Sequence, residues 1–240
     1  VRVPVLYEDE IGILSEEFNK MSEQIRQLVD QVYREQRAKR KSELAALQAQ
    51  INPHFLYNTL NSVSSLIKMN CPDEAFIMIQ AIGTFYRTSL SDGKTLIPLE
   101  QEITNIENYI KIQKVRYGNK IEYEIDIENE ILQEWIVKLT LQPLVENSIY
   151  HGIKEMRGKG IIRIKGWKEK NKVFIQVSDN GLGIPEEKLE ELFSKDYREK
   201  GSAFGLFNIQ QRLQIYFGKE YGLTVESKLS QGTKATVCIP

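Results

Sequence analysis

The 240-residue sequence has only two cysteines, two histidines and a net charge of −1. Cys71 and Cys238 lie far apart, without metal-type spacing, and read as reduced cytosolic thiols. Near-zero charge offers no footprint for nucleic acid or a membrane surface, so no nucleic-acid partner is expected. No apolar run approaches about 20 residues, so nothing in the sequence spans a bilayer, and there is no signal peptide. The GxxxxGK[ST] pattern is missing, which excludes a P-loop nucleotide site, and no GxGxxG follows a strand-like run. The sequence begins with Val1 rather than Met and is expected to be a piece of a longer protein.

What is present begins with helical periodicity. Ile11, Leu14, Phe18, Met21, Ile25, Leu28 and Val32 are spaced 3-4-3-4-3-4, a heptad seam. Glu35, Lys39 and Ser42 break it, inside the basic run 34–41. New seams follow at Leu44, Leu47 and Ile51, and at Leu56, Leu60, Val63 and Ile67, each out of phase with the last. A seam sustained on one long helix needs a partner; a second copy is favoured over an intramolecular bundle. Pro53, between the last two seams, predicts a kink. A turn at 70–74 opens a second helix carrying Ala75, Ile79, Ile82, Tyr86 and Leu90, ended by Ser91-Asp92-Gly93. A third helix is predicted from 99 to 117, closed by Gly118-Asn119.

From residue 120 the texture changes. Ile121, Tyr123, Ile125 and Ile127 alternate with acids as in a half-buried strand. Runs 161–167 and 173–178 read as a hairpin about a turn at 168–171. A glycine loop (179–185), a short helix (186–193), a charged segment (194–202), a helix (205–217) and two closing strands (222–228 and 234–239) follow. This is an α+β chain: a long coiled-coil and helical-hairpin region, then a two-layer α/β sandwich whose mixed or mainly antiparallel sheet carries helices on one face.

Residues 141–154 hold the densest chemistry. At about 100° per residue, Leu141, Leu144, Val145, Ser148, Ile149 and Gly152 share one side of a helix. Glu146, Asn147, Tyr150 and His151 crowd within about 140° on the other. A carboxamide oxygen suits a hard cation such as Mg²⁺, and a carboxylate suits proton abstraction. An ordinary amphipathic surface helix has the same pattern. Downstream, Asp179-Asn180-Gly181-Leu182-Gly183 comes off a strand, and Gly201 to Leu206 leads into a helix whose free amides suit phosphate. Gln231-Gly232-Thr233 precedes the last strand. Each signal is weak alone; their fixed order within about 100 residues is not. The remaining histidine, His54, follows Pro53 and shares a polar helix face with Asn58 and Asn61.

These residues carry a resemblance. The stretch from Gln50 to Asn58, with Asn52-Pro53-His54-Phe55 at its centre, resembles the phosphoacceptor box of LytS/YesM-type sensor histidine kinases. Residues 141–152, 179–183, 201–206 and the end of the chain look like the ATP site of the gyrase, Hsp90, histidine kinase and MutL superfamily. Asp9 to Gly12, with Phe18, Asn19 and Met21, resembles the second helix of a HAMP linker.

The resemblance implies a HAMP remnant and signalling coiled coil over 1–45, dimerisation and phosphotransfer helices over 46–119, and a Bergerat-type ATP-binding domain over 120–240. His54 would accept the γ-phosphoryl group of ATP, as a phosphoprotein intermediate, and pass it to an aspartate of a response-regulator receiver domain in a two-component system. Asn58 would orient the imidazole, and Glu146 would be the base or polariser. Asn147 would hold Mg²⁺. Asp179 would read the adenine amino group, with Gly181, Gly183 and Thr233 shaping that end. Tyr150, His151, Gly201, Gly205 and Leu206 would stand on the phosphate side, with 194–204 as the lid. The whole would be a homodimer and the cytoplasmic portion of a membrane-anchored protein. Three departures from the family pattern stand out: Tyr150 where many relatives have lysine, Ala203-Phe204 in the second glycine loop, and Phe55 where the commonest kinases have an acid. An ATPase of the same superfamily, or a degenerate kinase that only relays conformation, is the alternative.

Overall fold

The computed structural model describes residues 53–89, 94–191 and 204–240, together with 17–28 and residues 13, 31 and 33. The side chains of 53, 54, 89, 119, 190, 191 and 204 are not among them. Several expectations therefore lie outside the described residues. They are the basic run, the first seam break, the second seam, the kink before Pro53, the stop at 91–93 and the charged segment with Gly201 and Ala203. Two compact units are present, Val1–Leu56 and Tyr57–Pro240.

In the first unit, residues 17–28 form helix α1. Its seam residues Phe18, Met21, Ile25 and Leu28 are 44–60% exposed, an apolar stripe uncovered within one chain.

Helix α2 (Pro53–Lys68) lies in the second unit from Tyr57 on, and the chain continues through α3 (Pro72–Ser89) and the short β1 (Leu96–Pro98) into α4 (Leu99–Tyr117). Pro98 fixes the entry to α4, and the Leu99 and Glu100 amides donate to the Glu134 and Leu132 carbonyls at 2.9 Å, so two of the orphan donors of the first turn are used. Glu100 and Glu102 in the first turn, and Lys114 and Arg116 in the last, suit the helix dipole. β2 (Ile121–Ile127), β3 (Trp135–Val137), α5 (Gln142–Asn147), β4 (Gly160–Glu169), β5 (Lys172–Asp179), α6 (Glu186–Glu191), α7 (Phe204–Phe217), β6 (Gly222–Lys228) and β7 (Gly232–Ile239) complete it.

Five strands form one sheet in the order β2-β4-β5-β7-β6, with β2 parallel to β4 and the other pairs antiparallel. Alternation sends Ile162, Ile164, Val173, Ile175, Val177, Val237 and Ile239 to one buried face. Helix α4 packs over β2, α7 over β6, and the segment after α5 over β4, β5 and β7. On the opposite face Trp167 stacks on Phe174, centroids 5.6 Å apart. The architecture is the expected two-layer α+β sandwich with a mixed sheet.

Two expectations need correction. First, the core stripe of α3 is Ala75, Met78, Ala81 and Phe85, with Phe85 packed on Tyr109 of α4 at 5.8 Å. Ile79, placed on the helix's apolar stripe by the sequence reading, is 52% exposed, and Phe76 and Ile77 near it are 62% and 53% exposed. Helix α3 is apolar on two sides, so two phases fit its sequence, and contact with α4 selects the one through Phe85. Second, β1 and β3 form a separate two-stranded antiparallel sheet that no pattern announced. Three residues each, one ending in proline, are too few to show a period.

Candidate active site

The segment rich in polar groups is helical but not uniformly α. α5 runs directly into a π-helical turn, Ser148–Ile153, and Lys154 N–H donates to the Ile149 carbonyl at 2.8 Å. Such wide turns recur at functional sites. Leu144, Val145, Ile149, Gly152 and Ile153 are buried, while Glu146, Asn147 and Tyr150 are partly exposed and His151 is exposed. The predicted division of faces is present.

Asp179, the last residue of β5, sits beneath this turn. Its Oδ2 accepts from Ser148 Oγ at 2.8 Å and its Oδ1 from the Gly181 amide at 2.9 Å. Burial pushes its carboxyl above the ordinary range, against the pull of these donors and of the Thr233 amide. The loop beyond Asp179 needs its glycines. A Cβ on Gly181 would overlap the Gly152 backbone, and Gly183 has φ +68°. Asn180 Oδ1 accepts from the Ile161 amide at 2.7 Å, tying the loop to β4. The Ile184 amide donates to Ser227 Oγ at 2.8 Å, and Ser227 Oγ lies 2.9 Å from Thr233 Oγ1. Strand β6, the loop and Thr233 are thus one hydrogen-bonded frame.

These elements enclose a cavity of about 310 Å³. Asn147, His151, Asp179, Gly183, Leu206 and Thr233, all expected at the site, line it together. Ser148, Gly152, Val177, Ile184, Pro185, Lys188, Val225 and Ala235 also line it. Sequence reading named none of these individually: Ser148 and Gly152 stood on the core side of the helical wheel, Ile184 and Pro185 only ended the glycine loop, and Val177, Lys188, Val225 and Ala235 belong to no motif. A mainly apolar pocket with a buried acceptor at its floor and a carboxamide at its mouth suits a flat, amino-bearing heterocycle with a polar tail.

Other expected residues stand elsewhere. Glu146 lies outside the cavity wall and accepts from Gln142 Nε2 at 2.9 Å; burial pushes its carboxyl up. The Tyr150 hydroxyl lies 3.5 Å from Gln113 Nε2, whose other contact is Tyr109 at 2.8 Å, so this departure from the family pattern is anchored on α4. Gly181 supports the loop from behind. Gly205 is exposed, and a Cβ there would lie 3.9 Å from Pro143. Asn58 lies on α2, where its carbonyl accepts from Ser62 Oγ at 3.0 Å. The side chain of His54 and all of Gly201 lie outside the described residues.

The α5 N-terminus is held from α4. Fully buried Glu102 accepts from the Leu139 amide at 3.1 Å and the Leu141 amide at 3.0 Å, while Arg212 of α7 donates to the Lys138 carbonyl at 2.5 Å. Burial raises the Glu102 carboxyl; the two amides and the Arg212 charge oppose it. Sequence reading missed this clamp, because a glutamate in the first turn of a helix reads as a dipole partner facing water. Among the described residues no cluster of three or more His, Cys, Asp or Glu could hold a metal ion, and no helix is long and apolar enough to cross a membrane.

Comparison with known proteins agrees with this geometry. Residues 42–121 match the family described as Histidine kinase. Residues 136–240 match the one described as Histidine kinase-, DNA gyrase B-, and HSP90-like ATPase. The chain is 36% identical over 99% of its length to the sensor histidine kinase YesM of Bacillus subtilis, covering 40% of that protein. It is 37% identical over 83% of its length to the sensor protein LytS of Bacillus cereus, covering 34% of it. The protein YwpD of Bacillus subtilis is 36% identical, with 83% of this chain matching 70% of that one. The chain thus spans two fifths or less of the length of the two named sensors. The His54 segment, the carboxamide helix and the Asp-bearing glycine loop all fall within the matched residues, and the chain belongs to the LytS/YesM-type sensor histidine kinases.

Proposed function

We propose that this chain is the kinase core of a two-component sensor that phosphorylates itself on His54 and passes the group to a response-regulator aspartate. The observation that carries the reading is the cavity joining Asn147, Asp179, Gly183 and Thr233 in one chain with the His54 box. Ionised Asp179, already holding the Ser148, Gly181 and Thr233 donors, keeps a lone pair for the amino group of adenine. Apolar Val177, Ile184, Leu206 and Val225 flank the ring. The carboxamide of Asn147 fits Mg²⁺, which takes few protein ligands and the rest from phosphate and water; when bound, it neutralises phosphate charge. His151 and Lys188 add polar groups at the cavity surface.

An unprotonated nitrogen of His54 attacks the γ-phosphorus. A P–N bond forms, the bond to the β–γ bridging oxygen breaks, and ADP leaves. Positioning and charge neutralisation supply most of such a rate. Asn58, one turn beyond His54 on α2, orients the ring, and Glu146 is the base or polariser.

Segments 1–45, 46–119 and 120–240 serve as HAMP remnant with signalling coil, dimerisation and phosphotransfer helices, and ATP-binding domain. Exposed Tyr57, Leu60 and Ile67 on α2, with Phe76, Ile77 and Ile79 on α3, support a homodimer. The parent protein is anchored in the membrane through segments outside this sequence, with this part cytoplasmic.

Purified protein incubated with γ-labelled ATP and Mg²⁺ tests the reading. Acid-labile, base-stable label that is lost in His54→Gln supports it. ATP binding without label in the unmutated protein overturns it in favour of an ATPase or a conformational relay.

A further inference from the structure

The turn between β3 and α5 is left-handed at a residue that is not glycine. Leu139 has φ +58°. There the Cβ of an L-residue crowds the following carbonyl oxygen, so the conformation persists only where its surroundings impose it. Two charged side chains impose it here, one from each side. On the α4 side, Glu102 accepts from the Leu139 amide through Oε2 and from the Leu141 amide through Oε1. The Thr140 amide adds its pull on the same charge. Three successive amides converging on one anion form a backbone nest, and the left-handed step at Leu139 lets them converge.

On the α7 side, Arg212 meets the carbonyls of the same turn. Its Nη2 donates to the Lys138 carbonyl, and its Nη1 lies 3.5 Å from the Leu139 carbonyl. A planar guanidinium fork spans two adjacent carbonyls, which a single ammonium does not. The turn is therefore held by an anion on its amides and a cation on its carbonyls. Neither of these side chains lines the cavity, but the helices on either side of the turn reach it. Asn147 lies about 9 Å of helix beyond Leu141, and Leu206 lies about 9 Å before Arg212. Both line the cavity, so an error in the turn is carried along α5 to Asn147.

We propose that Arg212 is a positioning residue for nucleotide binding: with Glu102 opposite, it locks the left-handed turn at Leu139 and so sets the pose of Asn147 in the cavity. The inference rests on the reading of Asn147 as the group that fits Mg²⁺. The adenine end does not hang on this turn. Asp179 is fixed at the end of β5 by the Gly181 amide, and Thr233 belongs to the frame with Ser227. Loss of Arg212 therefore separates the two ends of the cavity. The metal and phosphate end loosens while the adenine end holds.

The test is calorimetric binding of ATP to the full chain, once with Mg²⁺ and once in EDTA. In Arg212→Met, affinity with Mg²⁺ is expected to fall about tenfold or more. Affinity in EDTA is expected to stay within about twofold of the unmutated protein, as for an independent site. Adding Leu139→Gly to Arg212→Met is expected to recover most of the loss, because glycine takes a positive φ without being held. Equal losses under both conditions, no loss under either, or no recovery with Leu139→Gly overturns the lock. If Arg212→Met does not fold, Arg212→Lys, which keeps the charge without the fork, is expected to show the same split at smaller size. ATP affinity indifferent to Mg²⁺ in the unmutated protein removes the metal reading of Asn147 and this inference with it. That outcome is read without any variant, so the two failures are told apart.

Discussion

The sheet-bearing half and the helical half treat their apolar side chains in opposite ways. Around the sheet, Ile164, Val173, Ile175, Val237 and Ile239 are fully buried within one chain, and buried polar groups are held by named partners such as the amides on Glu102. On α2 and α3, Leu60, Ile67, Phe76, Ile77 and Ile79 stand more than half exposed. Isolated exposed apolar residues are ordinary, but several on two neighbouring helices support the proposed homodimer. The nucleotide half is complete as a monomer. The helical half has packed one side of α3 on α4 and left the other exposed, the face proposed above for the homodimer.

Three changes test that contrast. The largest effect is expected from Glu102→Ala, which leaves two buried amides at the α5 N-terminus without an acceptor. Each such loss costs about 1–3 kcal/mol, so the variant should lose about 2–6 kcal/mol in denaturant unfolding. A loss below about 1 kcal/mol would mean that the clamp is dispensable. Next comes the double change Phe76→Glu with Ile79→Glu. It should leave thermal unfolding of the sheet half nearly unchanged while weakening the dimer at least about a hundredfold, or about 2.7 kcal/mol, in sedimentation. A stable dimer that carries both charges would show that this face is not the interface.

The smallest effect concerns the cavity floor. Because burial raises Asp179, nucleotide affinity should fall as pH drops through a midpoint above the ordinary aspartate value of about 3.9. Protonation removes the acceptor that adenine needs. Ser148→Ala deletes a donor to the charged form, so the midpoint should move further up and affinity near neutral pH should fall by about 0.5–1.5 kcal/mol. Calorimetric titration of ATP across pH reads both, and an unchanged midpoint in Ser148→Ala would detach Ser148 from Asp179.

Much of this was legible beforehand, for reasons that differ by element. The β4–β5 hairpin and the closing strands show alternation over seven or more residues, long enough for a period to be read. Helix α4 carries its start and stop signals in Pro98 and Gly118. The site residues Asn147, Asp179, Gly183 and Thr233 belong to motifs in a fixed order, and motif order survives without coordinates. The phase of α3 was misread because both of its sides are apolar. The roles of Ser148, Gln142 and Glu102 were invisible because each takes its meaning from a partner 31 to 39 residues away.

The sequence by itself determined the family, the two-layer α+β class and the residue types at the site, since local periodicity and motif chemistry depend only on neighbours along the chain. The tertiary structure decided which side of α3 is covered and that a π turn sets Gly152 over Asp179. It also decided that Tyr150 is anchored on α4 rather than lining the cavity, and that the turn at Leu139 is held between α4 and α7. Each of these depends on contacts between distant segments, where burial decides the cost of every polar group and only packing determines what is buried.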